Sequence, residues 1–477
     1  MYLINEDTIC APATVVGTGA ITVLRVSGSA AFDIVDRVVS FRKGTVAEAK
    51  GYTMKFGTVY TEGGEVLDEV IVSVFRAPHS YTGENSVEIS CHASRFIVEQ
   101  LLMLLVKEGC RTAEPGEFTQ RAFLNGKMDL AQAEAVADVI ASGSAAAHRV
   151  AFNQMKGGFS SELKGMRDEL LNLVSLMELE LDFSEEEVEF ADRTQLNSLL
   201  TEVIAHVGRL IDSFRLGNAI KNGVPVAIAG STNAGKSTLL NALLGEERAI
   251  VSDVHGTTRD TIEEVLNIEG ILFRFIDTAG IRETSEIVEQ IGIERTFKKI
   301  KEAEIVLGMV DMSREGEAGI AEAEAQVREL VSKVDFDVQK LVILLNKADL
   351  MDEKEVNKNV NLVNNFVLSV DYKVDIIPIS ARTGSGLSEL KKYLFDYQNA
   401  LVGESDHTLV TNLRHVEALS SARESLLRVQ SGLAAGIPTD LAAQDIRESL
   451  YYLGSIVGEI STDEVLGNIF RNFCIGK

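Results

Sequence analysis

The sequence predicts a multidomain α/β plus α chain, with a P-loop domain inserted into a helical domain and an α+β domain preceding both. Three observations carry that expectation. Gly230-Ser231-Thr232-Asn233-Ala234-Gly235-Lys236-Ser237 reads G-x-x-x-x-G-K-S. It lies between the apolar run Val226-Ala227-Ile228-Ala229 and the helix-forming Thr238-Leu239-Leu240-Asn241-Ala242-Leu243-Leu244. Residues 223 to about 398 alternate strand-like and helix-like segments, as a doubly wound parallel sheet requires. Helical periodicity flanks that block, and 477 residues leave room for about two to four domains.

In the first part Ala20-Ile21-Thr22-Val23-Leu24-Arg25-Val26 and Glu69-Val70-Ile71-Val72-Ser73-Val74-Phe75 read as strands. Gly51, Gly57 and the Gly63-Gly64 pair read as turns. Residues 96–107 read as a helix closed by Gly109. From Lys127 the apolar spacing turns helical. Leu130, Ala133, Val136, Ala137 and Ile140 share one face, and Leu170, Leu173, Val174, Met177 and Leu181 repeat the pattern. Glu185-Glu186-Glu187 reads as a solvated connection, and a further helix runs from Thr194 to about Phe214. Gly223 and Pro225 mark a boundary. After residue 400 helices return, with Asp440 and Ser461 as candidate N-caps and Ser461 with Glu464 as a capping box. The expected domains are residues 1–125 (α+β), 126–222 (helical, first part), 223–398 (P-loop α/β) and 399–477 (helical, second part). Insertion is tolerated because domain termini commonly lie close together.

The net charge is −25. Cationic side chains supply most non-specific affinity for nucleic acid, so any such role needs a local basic patch or a basic partner. Cys10, Cys91, Cys110 and Cys474 are widely spaced. They offer neither a zinc knuckle nor a disulfide framework and fit a reducing, cytoplasmic setting. Glu6 and Asp7 stand where a signal peptide would be basic. No apolar run reaches the ~18 residues of a membrane span, so no membrane partner is expected. The ending Cys474-Ile475-Gly476-Lys477 is wrong for a prenylation box.

A P-loop cradles phosphates with backbone N–H groups at a helix N-terminus. Lys236 is expected on the β- and γ-phosphates and the Ser237 hydroxyl on Mg²⁺. Four motifs follow in the order a GTPase requires. Gly256-Thr257-Thr258-Arg259-Asp260 offers a threonine hydroxyl to Mg²⁺ and the γ-phosphate. In Asp277-Thr278-Ala279-Gly280 the carboxylate holds a magnesium-bound water and the Gly280 N–H meets the γ-phosphate. Asn346-Lys347-Ala348-Asp349 follows a buried strand, and its carboxylate accepts the paired donors of guanine that adenine lacks. Ser380-Ala381-Arg382 offers backbone donors to guanine O6. Ile281 stands where signalling GTPases carry a water-orienting glutamine, so another group must position water. Arg259 and Arg282 are candidate arginine fingers. A bound monovalent cation is the rival, with Asn233 as an oxygen ligand.

Three stretches outside these motifs carry a specific resemblance: Pro115-Gly116-Glu117-Phe118-Thr119-Gln120-Arg121-Ala122-Phe123-Leu124-Asn125, Asp129-Leu130-Ala131-Gln132-Ala133-Glu134-Ala135 and Phe473-Cys474-Ile475-Gly476-Lys477. Over its full length the chain resembles the MnmE (TrmE) family of tRNA-modifying GTPases. The resemblance implies a folate-binding N-terminal domain that forms a homodimer, a helical domain and an inserted GTPase domain. It implies potassium-activated GTP hydrolysis and an FAD-containing partner of the MnmG type. Together such proteins install an aminomethyl or carboxymethylaminomethyl group on C5 of the wobble uridine of certain tRNAs, using 5,10-methylene-tetrahydrofolate, for which the 5-formyl compound is an analogue.

The resemblance also implies site residues. Nucleotide contacts fall on Asn233, Ala234, Gly235, Lys236, Ser237 and Thr238, on Ser252, Asp253, Val254, His255, Gly256, Thr257 and Thr258, and on Asp277, Thr278, Ala279 and Gly280. They continue on Asn346, Lys347, Ala348, Asp349, Ser380, Ala381 and Arg382. Mg²⁺ would be held by Ser237 and Thr258. K⁺ would be held by Asn233, the carbonyls of Ser252 and Val254, and Thr257. Glu289 would orient water through a second water. Folate would lie near Arg25, Glu88, Lys127 and Lys477. Cys474 is either a reactive thiol or a small buried residue. Where many members carry Gly-His-Gly-Gly, this chain has Cys91-His92-Ala93-Ser94, which lowers local backbone freedom. The alternative is a regulatory RNA-binding GTPase of ribosome assembly, which shares Asn-Lys-x-Asp but normally adds a basic RNA-binding module. A non-catalytic scaffold is the third reading, and intact Lys236, Ser237, Asp277 and Asp349 speak against it.

Overall fold

The computed structural model describes residues 7–15, 17, 19–182, 193–231, 233–246, 264–276, 301–313, 316–369, 374–402, 408–435, 437, 439–460, 462–471, 473 and 476. Two compact units emerge, residues 1–140, 152–204 and 418–477 in one, residues 141–151 and 205–417 in the other.

The first unit holds strands β1 Thr8–Pro12, β2 Ile21–Ser27, β3 Val39–Phe41, β4 Thr53–Tyr60, β5 Val66–Phe75, β6 Ser86–His92 and β7 Cys110–Thr112. Among the described residues they form one sheet in the order β3-β4-β5-β6-β2-β1-β7. Neighbours run antiparallel except β1 and β7, which are parallel. Alternation decides which face is dry. Val70, Val72 and Val74 of β5 point inward and pack with Ile34 and Val35 of helix Ala31–Val38 and Leu101 and Leu105 of helix Arg95–Lys107. Gly57, expected in a turn, lies inside β4 opposite Phe41 and Val70. A Cβ there would stand 2.4 Å from Val39 Cγ1, so close approach of side chains, not a turn, requires the glycine. In the helical part of this unit, helix Gly158–Asp182 packs on helix Thr439–Val457. Leu130 and Ala133 of helix Leu130–Ala141 bury against Leu466 and Phe470 of helix Asp463–Arg471.

The second unit holds β8 Val224–Gly230, β9 Glu264–Ile268, β10 Ile271–Phe275, β11 Ile305–Asp311, β12 Lys340–Asn346 and β13 Asp375–Pro378. Their order is β13-β12-β11-β8-β10-β9, parallel throughout except for β9 against β10. β11 and β12 are buried along almost their whole length, as strands covered on both faces are. Helices Lys236–Glu246 and Leu387–Val402 supply Leu239, Leu243, Leu390 and Leu394 to one face. Helices Gly316–Val331 and Glu353–Ser369 supply Val327, Leu330 and Val363 to the other.

Three details differ from the sequence reading. The helix expected to stop near Phe214 runs over Arg193–Asn222. Gly217 within it is a packing glycine, since its Cβ would stand 2.1 Å from Val410 O. Gly223, at φ +85°, ends that helix. Asp440 lies inside the first turn of helix Thr439–Val457 rather than before it, where its charge still complements the helix dipole. β9 carries no clear signal of its own: Glu264-Val265-Leu266-Asn267-Ile268 is short and only partly alternating. The Glu185-Glu186-Glu187 run and Ser461 lie outside the described residues. No described helix is long and apolar enough to cross a membrane.

A partly buried ionic cluster ties the residue before β1, β7 and helix Glu117–Leu124 together. Arg121, only 8% exposed, donates to Asp7 Oδ1 at 2.7 Å, Glu117 Oε1 at 3.0 Å and Glu84 Oε1 at 3.2 Å. Arg111 donates to Glu117 and Asp7, both at 2.6 Å. Burial pushes the Glu117 carboxyl up, but the Arg111, Glu114 N–H and Arg121 hydrogen bonds outweigh it and hold it below its ordinary range. A carboxyl depressed by folding gives stability that is full above its unfolded value of about 4.3 and is lost as pH falls through the lower folded one. Arg121→Met leaves three carboxylates without their shared cation and is expected to cost about 3–5 kcal/mol at pH 7. Urea unfolding should show that loss at pH 7 and a smaller gap from the parent below about pH 4.

Candidate functional site

β8 ends in Gly230, and the chain turns through Asn233 and Gly235 into helix Lys236–Glu246. The turn needs left-handed backbone, with φ of +151° at Gly230, +67° at Asn233 and +101° at Gly235. The two glycines also have no room for a side chain. A Cβ would stand 2.4 Å from Met309 O at Gly230 and 2.3 Å from Asn346 Nδ2 at Gly235. Such a turn at a helix N-terminus makes an anion-binding concavity of backbone N–H groups. Lys236 lies across it, its Nζ donating to Gly230 O and Ser231 O, each at 2.9 Å. Burial pushes the Lys236 ammonium down. Carbonyl dipoles alone do not replace its lost hydration, so an anion arriving here is favoured. Ser237 and Thr238 follow in the first turn of the helix.

β12 delivers Asn346 to the same edge. Asn346 is 3% exposed. Its Nδ2 donates to Ala234 O at 2.7 Å, and its Oδ1 accepts from the Ala381 N–H at 3.0 Å. Lys347 takes a left-handed φ of +71° and donates through Nζ to Asp311 Oδ2 at 2.5 Å. Burial pushes the Asp311 carboxyl up, but hydrogen bonds from Lys347 and Ser313 prevail and hold it below its ordinary range. The Ala348 N–H donates to Ile379 O at 3.1 Å. Asp349 Oδ1 accepts from Ser380 Oγ at 2.7 Å, and Ser380 Oγ accepts from the Thr383 N–H at 3.2 Å. Oδ2 of Asp349 has no donor among the described residues and remains an acceptor for a ligand. Arg382 is exposed beside them.

These groups stand where β8, β11 and β12 end and where the chain leaves β13. β8 has β11 on one side and β10 on the other. The strand order therefore reverses at β8, the position where open α/β sheets bind ligands. Ser252, Asp253, Val254, His255, Gly256, Thr257, Thr258, Arg259, Asp277, Thr278, Ala279, Gly280, Ile281, Arg282 and Glu289 lie outside the described residues.

A second cluster lies on the N-terminal sheet. Arg25 of β2 stands opposite Glu88 of β6 in the register. Its Nε and Nη2 both donate to Glu88 Oε1, at 3.1 and 2.9 Å, and its Nη1 donates to Gly476 O at 3.4 Å. The guanidinium carbon lies 5.2 Å from the Tyr81 ring centroid and 5.6 Å from that of Phe118. Lys127 instead donates to Pro78 O at 2.9 Å, in the segment that carries Tyr81. Arg25 thus bonds both Glu88 and Gly476, whereas the bond given for Lys127 goes to Pro78 O. Cys474 and Lys477 lie outside the described residues. In the Cys91-His92-Ala93-Ser94 stretch no residue takes a positive φ, so the missing glycines leave no strain. Burial, with the Asp68 charge, pushes the Cys91 thiol up to about 11. His92 Nδ1 lies 2.7 Å from Asp68 Oδ1.

Sequence reasoning missed Tyr81, Phe118 and Asp311. Phe118 sat in a quoted motif without a role. Asp311 ends a buried apolar strand, the same signal that flagged Asn346. Tyr81 lies in the polar, turn-like run Ser80-Tyr81-Thr82-Gly83-Glu84-Asn85 and gave no pattern to read.

Residues 8–127 match the family described as "GTP-binding protein TrmE N-terminus", and residues 130–474 match "MnmE helical domain". A tRNA modification GTPase MnmE of Bacteroides thetaiotaomicron is 54% identical, covering 99% of this chain and all of the relative. One of Flavobacterium johnsoniae is 50% identical and covers both chains fully. Among solved structures, a point variant of Aquifex aeolicus Era bound to GDP.AlF4- is 26% identical at a TM-score of 0.27, covering 43% of this chain and 66% of that one.

Asn346→Ala strands the Ala234 carbonyl and the Ala381 N–H in a buried setting. Each unsatisfied group costs about 1–3 kcal/mol. The expected result is a loss of GTP affinity of about tenfold or more, read by competition with a fluorescent nucleotide.

Proposed function

Because the chain belongs to the MnmE family of tRNA modification GTPases, we propose that it hydrolyses GTP under potassium activation and, with an FAD-containing partner of the MnmG type, installs an aminomethyl or carboxymethylaminomethyl group on C5 of the wobble uridine of certain tRNAs. The one-carbon unit comes from a reduced folate held in a homodimer. The observation that carries the nucleotide part is the Asn346 bridge. It places a phosphate-type cradle and the Asp349–Ser380 pair on one sheet edge.

The described residues support a guanine nucleotide site; of the proposed Mg²⁺ and K⁺ ligands they include Ser237 and Asn233. The cradle has room for backbone only, and Lys236 is a half-buried cation with no carboxylate partner among the described residues. Lys236 binds the phosphates, and positioned positive charge offsets what develops on the γ-phosphate. Asp349 takes the base. Ser237 with Thr258 holds Mg²⁺. Asn233, Ser252, Val254 and Thr257 hold K⁺, and Glu289 orients water. The N-terminal cluster fits an anionic, ring-bearing ligand through its cations, its carboxylate and the Tyr81 ring. Arg25, Glu88, Lys127 and Lys477 form that folate site.

Three outcomes test this reading. Wobble nucleosides of tRNA from cells lacking the protein should lose the modified uridine by mass analysis; an unchanged nucleoside profile removes the tRNA assignment. GTP hydrolysis should run at least tenfold faster in KCl than in NaCl at equal ionic strength. Asn233→Ala should abolish that difference while GTP still binds; equal rates in the parent would return the role to Arg259 or Arg282. Asp349→Asn swaps an acceptor for a donor and should turn nucleotide preference from GTP toward xanthosine triphosphate in a competition assay.

A further inference from the structure

We propose that the edge of the N-terminal sheet, from the end of β3 to the start of β4, is a docking surface for the phosphate backbone of tRNA, with Tyr52 as a platform for an unpaired base. The RNA partner rests on the tRNA-modifying reading; its place on the chain follows from charge. In a chain of net charge −25, residues 40–55 carry four cations, Arg42, Lys43, Lys50 and Lys55, against the single carboxylate of Glu48. β3 is the last strand of the sheet on this side. Arg42, Lys43 and Lys50 are exposed, and none of the four cations has a carboxylate partner among the described residues. The acids of this corner are engaged by backbone. Asp36 accepts from the Val46 and Ala47 N–H groups at 2.6 and 3.0 Å, and Glu48 accepts from the Thr45 N–H at 3.3 Å. Arg37, by contrast, is paired with Glu108 at 2.7 Å. This edge is therefore the local basic patch that an acidic chain needs to meet a polyanion.

The cations are held in place before any ligand arrives. Lys55 Nζ donates to Lys43 O at 2.9 Å, and Arg76 Nε donates to Ala49 O at 2.8 Å, beside Lys50. The Arg42 guanidinium carbon lies 5.9 Å from the Phe56 ring centroid, and Lys55 Nζ lies 5.3 Å from that of Phe41. A charged head already resting on a ring loses less freedom when a phosphate binds it. Tyr52 stands among these groups. A bulky residue rarely takes a left-handed backbone, yet Tyr52 has φ +59°, with its N–H donating to Val74 O at 2.7 Å. Its ring meets Phe75 edge-on at 5.9 Å, and the residue is still 71% exposed. Cations for the backbone and an open ring for a base are the pairing that unpaired RNA requires.

The test measures binding of a labelled tRNA transcript to the full chain by filter retention over about 50–200 mM KCl. The triple variant Arg42→Gln, Lys43→Gln, Lys50→Gln should bind at least about tenfold more weakly, and its plot of log affinity against log salt should be shallower by about 2. A control on the other unit, Lys354→Gln, Lys358→Gln, Lys392→Gln, removes three exposed lysines and should change neither value. The pair Lys43→Gln, Lys50→Gln leaves Arg42 on Phe56 and keeps the test decisive if the triple variant misfolds; its slope should fall by about 1. Tyr52→Ala should weaken binding at least about fivefold with the slope unchanged, since stacking releases no counterions; full affinity in that variant removes the base platform. Equal slopes in parent and triple variant, or no retention of tRNA by the parent, overturn the docking surface and leave the cations as guards of a bare sheet edge. So does a triple variant that keeps its tRNA affinity but no longer binds phosphatidylserine vesicles, which would assign the edge to a lipid surface. If cells lacking the protein keep their modified wobble uridine while RNA binding still depends on these cations, the tRNA-modifying reading fails and the RNA surface stands.

Discussion

The Asn346 amide is the interaction on which the nucleotide-type site depends. It is buried, so both of its ends must be paired, and each pairs with a different loop. One end holds the Ala234 carbonyl, 112 residues away in the chain, and the other holds the Ala381 N–H. The same amide lies where a side chain on Gly235 would be, so the glycine of one motif is the space needed by the asparagine of another. Two patterns that look independent in the sequence are therefore one packed contact. Neither can change without leaving a polar group unpaired or forcing the turn open.

The sheet explains why this contact falls where it does. Parallel strands buried on both faces can carry polar groups only at their ends. Three of them, β8, β11 and β12, end together, and each ends in the residue that works: Gly230, Asp311 and Asn346. Asp311 holds the ammonium of Lys347, whose left-handed backbone leads into the turn where Asp349 meets Ser380. The apolar interior thus sets the position of the polar edge to within the rise of one residue.

Much of this was legible. The G-x-x-x-x-G-K-S and Asn-Lys-x-Asp patterns follow apolar runs, and a buried strand followed by glycine or asparagine has few physical uses. What escaped the sequence depended on partners distant in the chain. Gly57 reads as a turn because isolated glycines often are, and Gly217 gave no signal, yet each lies inside a regular element where a neighbour comes too close for a Cβ. β9 escaped because its register with β10, not its own composition, makes it a strand. Tyr81 escaped because its ring matters only once Arg25 is beside it.

The N-terminal sheet solves a related problem with charge instead of amides. Arg121 is buried, and Arg111 half-buried, among carboxylates from Asp7, Glu84 and Glu117 in a chain whose net charge is −25. In so acidic a protein a buried arginine readily finds carboxylates, and a planar fork with five donors joins several elements where a lysine would join one. Arg121 joins β1, the turn at residue 84 and helix Glu117–Leu124. Arg25 joins β2, β6, that helix and the chain end. The arginines of this unit are cross-links before they are ligands. A ligand cluster built on them inherits its geometry from the fold, because the side chains that would meet the ligand are held by bonds that exist without it.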